Sequence, residues 1–406
     1  MFLLYYTGTK PVRKILKSSA IPSVFPWKKP VKCRRKLIRH PLKDVKNVHS
    51  SNTHKIIAAD INIGAQEEVV SFDEDFGIVQ STSSTQTEEL NTTSTSEVST
   101  QSATSPYPLL SAERFAFDDR AIHFYTGLES YAKFLFVFNT LGQAVNHLTY
   151  MFGAIHNIHP LNQFFLVMIK LRLHKANYEL STLFDISEAD VYNICCTWLR
   201  FMSLQWRELV IWPSQEVVRT FAPRGFQSTY PTTRVIVDGT ECPVQKPKLP
   251  VAQQSTYSTY KNRNTVKVLV GVTPGGQVSY VSSAYGGSTS DRQIVERSNL
   301  PQYCDTGDSI MADKGFDVQD IFAPYNVTIN IPTFFVKKNR MCGDTVLKDR
   351  KIASKRVHVE RIIGLAKTYK ILSEPMNTWE TQLSSDIIYV CFMLCNFRTG
   401  IVPRHA

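Results

Sequence analysis

Apolar residues recur at helical spacing through the middle of the chain, over Phe134–Leu148 and again over Leu161–His174. A shorter periodic run, Tyr178–Phe184, is followed by a break at Asp185–Ile186 and a longer one at Ser187–Met202. Ser187 with Asp190 three residues on has the spacing of a capping box. A short helix, a tight turn and a longer capped helix make a helix-turn-helix-like pattern within a helical segment over 115–225. The second of these helices opens with Glu188 and Asp190, which repel phosphate. Packing is therefore its first expected role, and reading of DNA the second.

Past Arg224 the period shortens to that of strands. Arg234–Val237 is a β-branched run that ends at Asp238. Thr265–Thr273 and Val278–Ala284 flank the turn Pro274-Gly275-Gly276-Gln277, a hairpin signal. Ser309–Ala312 and Val327–Ile331 add two more strands. Arg356–Leu372 then reads as a helix with Val359, Ile362, Ile363 and Ala366 on one stripe, and a last apolar helix covers about Ser384–Phe397. Three strands followed by alternating helices and strands predict an α/β fold, a mixed sheet with flanking helices.

The N-terminal part has a different character. Residues 1–60 hold fourteen Lys and Arg against Asp44 and Asp60. A basic arm at 28–46, from Lys28 to Lys46, suits either a solvated tail or nuclear import and phosphate binding. About Ser81 to Ser105 is mostly Ser, Thr, Gln and Glu, too poor in apolar residues to offset its ordering entropy, so a disordered linker is expected there. The expected organisation is 1–105 arm and linker, 106–228 helical domain and 229–400 α/β domain. A net charge of +11 favours an anionic partner such as nucleic acid. Eight cysteines without a CxxC pair argue against a disulfide framework and suit a reducing compartment. Without an apolar stretch of roughly 18 residues, no membrane span is expected.

Acidic residues carry the chemistry. Asp238 and Asp313 each follow a β-run, in VIVDGTE and MADKGF, and ligands of open α/β sheets gather at the carboxyl ends of strands. Glu360 lies on the later amphipathic helix, off its apolar stripe and on a face with Arg356, Gly364 and Lys367. Three carboxylates from two strands and a helix suit Mg²⁺ or Mn²⁺, and such ions, bound as a pair, clamp the oxygens of a phosphodiester in cleavage. Taken singly, each of these acids is more readily a cap or a surface charge.

Five stretches in order resemble the PIF/Harbinger-type transposases of the DDE endonuclease superfamily: VIVDGTE (235–241), YSTYKNRNTVK (257–267), GGSTSDRQI (286–294), MADKGF (311–316) and RVHVERIIGLAK (356–367). With WPSQE at 212–216 the resemblance covers roughly residues 110–400. It implies an RNase H-like fold and metal-dependent DNA cleavage and strand transfer, with Asp238, Asp313 and Glu360 as the catalytic, metal-holding acids. Family members usually carry Cys where Gly239 stands here. Two readings are open for Asp291: capping of the helix that follows, by itself or through Ser290, and a role at or beside the metal. Lys261, Arg263, Lys267, Arg356 and Lys367 are candidate phosphate contacts. Residues 12–27, VRKILKSSAIPSVFPW, resemble the closing segment of a THAP zinc finger, although no cysteine precedes Cys33, so a truncated finger is expected. The family further implies a nuclear location, DNA as partner, a separate DNA-binding accessory protein and self-association. Against this stands a domesticated protein that keeps the fold as an adaptor without the chemistry, and a nuclease of other substrate on the same fold.

Overall fold

A computed structural model describes residues 110–155, 157–209, 211–333 and 342–402. The basic arm, the 12–27 segment and the linker at 81–105 lie outside them. Helices come first: α1 Asp119–Thr126, α2 Tyr131–Asn139, α3 Pro160–Leu173, α4 Asn177–Phe184, α5 Glu188–Arg207, α6 Gln215–Phe221 and α7 Arg224–Thr229. The periodic run at 134–148 divides between α2 and a short 3-10 turn at Gln143–His147, because Gly142 adopts a φ of 68°. α4 ends on Asp185, itself left-handed at φ 52°, and Ser187 caps α5 by accepting the Asp190 amide. Only half of the expected capping box forms, since the Ser187 hydroxyl also donates to the Asp190 carboxylate at 2.8 Å.

α5 is buried along its middle, from Asn193 through Leu199. Trp198 and Trp206 are fully enclosed, each worth roughly 1.5–3 kcal/mol or more of apolar burial. The Trp198 indole donates to Gln163 at 2.7 Å, and Tyr389 near the C-terminus donates to the Trp206 carbonyl at 3.0 Å.

The sheet follows. β1 is Thr233–Pro243, and an excursion with α8 (Pro250–Thr256) leads through β2 (Tyr257–Ser258) to β3 (Arg263–Val272). β4 (Val278–Val281) and β5 (Tyr285–Gly286) return along β3. Gly276, at φ 93°, makes the intervening turn, which the Thr273 amide closes on the Gln277 carbonyl at 2.8 Å. After α9 (Asp291–Glu296) and α10 (Leu300–Tyr303) come β6 (Ser309–Met311), α11 (Gln319–Phe322) and β7 (Thr328–Asn330). The chain ends in α12 (Gly343–Ala366), α13 (Thr378–Gln382) and α14 (Ser384–Asn396).

Strand order is β2-β3-β1-β6-β7, with β4 and β5 on the far edge of β3. The first three long strands are antiparallel, whereas β6 and β7 run parallel to β1. This mixed α/β sheet with flanking helices fits an α/β nuclease fold. Its two faces bury separate apolar clusters, as pleating requires. Ile236, Cys242, Val266, Val268 and Val270 join α12, α14 and the helical segment in one core. Val235, Val237 and Leu269 face α9, α10 and Phe322 in the other.

Candidate functional site

β1 is longer than its β-branched run suggests, and this sets the site. Its parallel pairing with β6 ends at Ile236 opposite Met311, while its antiparallel pairing with β3 continues to Pro243. Asp238 therefore lies inside a strand and not at its end, opposite Val270, but just beyond the point where β6 departs. A notch opens on that side of β1. Asp313 lies two residues past the end of β6, and α12 crosses the same face of the sheet with Val359, Ile362, Ile363 and Ala366 buried beneath it. His358, also buried, binds α12 to the hairpin turn through Nδ1 and the Pro274 carbonyl at 2.9 Å. Burial lowers the pKa of its imidazole. That position makes it a packing residue.

The three acids named from sequence meet around one guanidinium. Arg356 Nη1 lies 3.0 Å from Asp313 Oδ1, and its Nη2 lies 3.4 Å from Glu360 Oε1 and 3.8 Å from Asp238 Oδ1. Asp313 and Glu360 are half exposed, whereas the Asp238 side chain is only 25% exposed. Burial pushes the Asp238 carboxyl up to about 6; Arg356 and the Gly239 amide pull it down, and Asp313 and Glu360 push it up. Asp313 and Glu360 thus disfavour charge on Asp238, and Arg356 offsets that repulsion.

The donor set is all carboxylate oxygen, the chemistry a hard divalent cation takes, and it already surrounds a positive charge. A divalent ion fits these residues in charge and in donor type. In the present arrangement the guanidinium holds those oxygens, and among the described residues no group of three His, Cys, Asp or Glu closes to coordination distance. Ion and guanidinium are thus alternatives for one set of oxygens.

Asp291 is not part of this group. Ser290 is the cap of α9, in a full capping box with Gln293, and Asp291 is the first helical residue. Its Oδ1 pairs with Lys267 Nζ at 2.9 Å. A Cβ on Gly239 would come within 2.6 Å of that same oxygen, so glycine here leaves room for the Asp291–Lys267 pair against β1. Gly239 shares the face of Val235 and Val237, opposite to Asp238, so the pair lies across the sheet from the acids. Lys261 and Arg263 are exposed at the far end of β3, away from the notch. Lys367 closes α12 and lies near enough to the buried Cys242 thiol to lower its pKa, against the larger effect of burial.

Two features carry no motif that sequence reading recognises. One is Arg356 as the hub of the site; the i,i+4 spacing foretold only its link to Glu360. The other is a buried ionic cluster of Lys170, His174 and Glu380, whose partners stand more than two hundred positions apart in sequence.

Residues 237–396, less than half of the chain, match the family model described as DDE superfamily endonuclease. No curated protein and no solved structure matches the chain. The match begins one residue before Asp238, ends with the last residue of α14 and encloses Asp313 and Glu360. The segment that carries the acids, α12 and most of the sheet is therefore similar to the endonuclease domain of the DDE superfamily.

Proposed function

We propose that this chain is a metal-dependent DNA endonuclease and transposase of the PIF/Harbinger type on an RNase H-like fold. The observation that carries the reading is the meeting of Asp238, Asp313 and Glu360, from β1, the loop after β6 and α12, on one guanidinium. Asp238, Asp313 and Glu360 would hold Mg²⁺ or Mn²⁺. When bound, such ions lower the pKa of an attacking water or 3′-hydroxyl and neutralise charge on the scissile phosphate. With its carboxylate partners so engaged, Arg356 would be free to meet a phosphate oxygen, and Lys367 would extend the positive charge along α12. Val359, Ile362 and Ile363 seat α12 in the core on the sheet, and Glu360 and Asp238 share Arg356 as a partner.

The reading extends to a nuclear location, a separate DNA-binding accessory protein or self-association, and the helix-turn-helix-like pair α4–α5 as a packing element. No helix among the described residues is long and apolar enough to cross a membrane. The rival, a domesticated protein without chemistry, draws on Arg356, because a fixed internal cation satisfies the acids without metal. Mn²⁺ separates the two. A metal-holding site raises the melting temperature on Mn²⁺ addition, and a silent one leaves it unchanged.

The direct test is nicking of a labelled duplex with Mn²⁺, wild type beside Glu360→Gln. Nicking in the wild type that falls at least roughly 100-fold in the variant is the expected result, about 3 kcal/mol of transition-state stabilisation. Equal rates in the two would remove Glu360 from the site.

Gly364 gives a subtler check. It is exposed one turn beyond Glu360, and a Cβ there would meet nothing within 4 Å. Gly364→Ala should therefore raise stability by about 0.5–1 kcal/mol. If DNA approaches this face closely, the same methyl lowers DNA affinity. Denaturant unfolding and DNA binding measured on one preparation should move in opposite directions, and a parallel gain in both would speak against contact at Gly364.

A further inference from the structure

Between Glu241 and Asp291 the chain contains no Asp or Glu, yet it contains Lys246, Lys248, Lys261, Arg263 and Lys267. Four of these cations belong to the excursion from the end of β1 to the start of β3, and all four are exposed. α8 buries none of its residues. Leu249 is 71% exposed and Tyr260 84%, with Lys261 Nζ 4.7 Å from the centre of the Tyr260 ring.

A segment that buries so little would ordinarily be loose, but this one is pinned by hydrogen bonds from Asn264 and Ser288. Asn264 Nδ2 donates to the Gln253 carbonyl at 2.9 Å and to Thr256 Oγ1 at 2.8 Å. Ser288 Oγ donates to the Ser255 carbonyl at 2.6 Å. Gly286 and Gly287 bring β5 directly against α8: a Cβ on Gly286 would strike the Ser255 carbonyl, and one on Gly287 would strike Thr265. Much of the GGSTSD stretch thus serves to hold a platform in place. Its outward side presents cations and an aromatic ring, preorganised and, among the described residues, without a partner acid.

We propose that Lys246, Lys248, Tyr260, Lys261 and Arg263 form a second contact for a DNA strand, one that leads away from the acid notch and carries at least one unstacked base. The inference rests on the nuclease reading for its substrate. Charge selects the occupant: an anionic backbone matches four cations in a stretch free of acids, and an aromatic face among cations accepts a base by stacking. Position supports it as well. β3 joins the two places, from Val270 opposite Asp238 to Arg263, a run of about seven residues and roughly 24 Å. That is on the order of seven nucleotide steps of 3.4 Å.

The test is binding of the full chain, in EDTA, to a labelled single strand and to the matching duplex across a salt series. The Lys246→Gln, Lys248→Gln, Lys261→Gln, Arg263→Gln variant should lose about 3 from the slope of log affinity against log salt for the single strand. The basic N-terminal arm adds equally to wild type and variant, so the difference reads the platform. Tyr260→Ala should weaken single-strand binding roughly 5- to 140-fold and leave duplex binding unchanged. All five positions are exposed, so unchanged melting temperatures verify the fold. An unchanged salt slope overturns the proposal, as does a fourfold variant that dissociates a wild-type dimer on sedimentation, which would make the surface a seat for a second copy. Nicking with Mn²⁺ in the same preparations keeps the two readings apart. Slope loss without nicking in the wild type sustains this surface while the nuclease reading fails, and nicking with an unchanged slope removes this surface alone.

Discussion

Asp238→Asn is expected to reduce metal-dependent cleavage by at least about 10³-fold, the scale of several kcal/mol of lost charge stabilisation, and to make the metal-free protein more stable at neutral pH. The second effect follows from the position of the carboxyl. It is three-quarters buried beside Asp313 and Glu360, and burial above all raises its pKa from 3.8 to about 6, although Arg356 and the Gly239 amide oppose the rise. Below the unfolded value the acid is protonated in both states and costs the fold nothing. As pH rises through 3.8 the unfolded chain releases its proton while the folded chain keeps it up to about 6, so stability falls across that window. The full penalty above it is about 3 kcal/mol. Asparagine removes the titration and forfeits the 3.8 Å contact with Arg356, the loosest of the three that the guanidinium makes. Denaturant unfolding in EDTA should accordingly show the variant ahead of wild type at pH 7 and level with it near pH 4. Equal stability at pH 7 would mean that the carboxyl is not strained in the fold, and retained cleavage would take Asp238 out of the chemistry.

The acids were legible because each stands in a stretch whose secondary structure is written locally. Val235-Ile236-Val237, Ser309-Ile310-Met311 and the stripe at Val359, Ile362, Ile363 and Ala366 each declare their element, and the acid's place follows. Boundaries were less legible wherever pairing overrides composition. β1 runs on to Pro243 because β3 is long enough to pair with it, not because Gly239-Thr240-Glu241 favours a strand. α12 begins thirteen residues before the expected Arg356, at Gly343, in a polar stretch where Ile352 is the one residue buried before His358. Pleat parity is what separates Asp291 from Asp238: neighbours on β1 face opposite cores, and sequence order alone does not say which helix covers which face. Arg356 as hub depends on two contacts from other elements, which no helical spacing encodes.

The largest expected loss of stability lies away from the acids. Glu380 on α13 is fully buried, with Lys170 Nζ at 2.8 Å, His174 Nε2 at 3.0 Å and the Asn377 amide at 2.9 Å. Burial alone would raise its pKa; hydrogen bonding from His174, the charge of Lys170 and its hydrogen bond outweigh burial and hold it at about 2. Because the folded value lies below the unfolded 4.5, its contribution is present above about 4.5 and is lost as pH falls through 2. Lys170 is 3% exposed, and its remaining hydrogen-bond acceptors, the Lys175 carbonyl at 2.9 Å and Asn177 at 3.3 Å, are neutral. Glu380→Leu leaves that ammonium buried without a counter-charge and should destabilise the protein by about 3–5 kcal/mol. Lys170→Met should cost a similar amount, and the double variant should recover most of the loss, since an apolar pair of similar volume needs no counter-charge. Single variants that unfold like wild type would refute a stabilising role for the pair, and a double variant as unstable as the sum of both would refute their coupling. The consequence reaches the notch through the chain itself. Met376 accepts a hydrogen bond from the Gln245 amide at 2.8 Å and donates to the Pro243 carbonyl at 3.0 Å, which ties the end of β1 to the segment just before α13. With Glu380 anchoring α13 to α3, that tie holds β1 beyond Asp238, where β6 no longer supports it. Loss of the ion pair should therefore slow cleavage in Glu380→Leu at temperatures below its melting point, with Asp238, Asp313, Glu360 and Arg356 themselves unchanged.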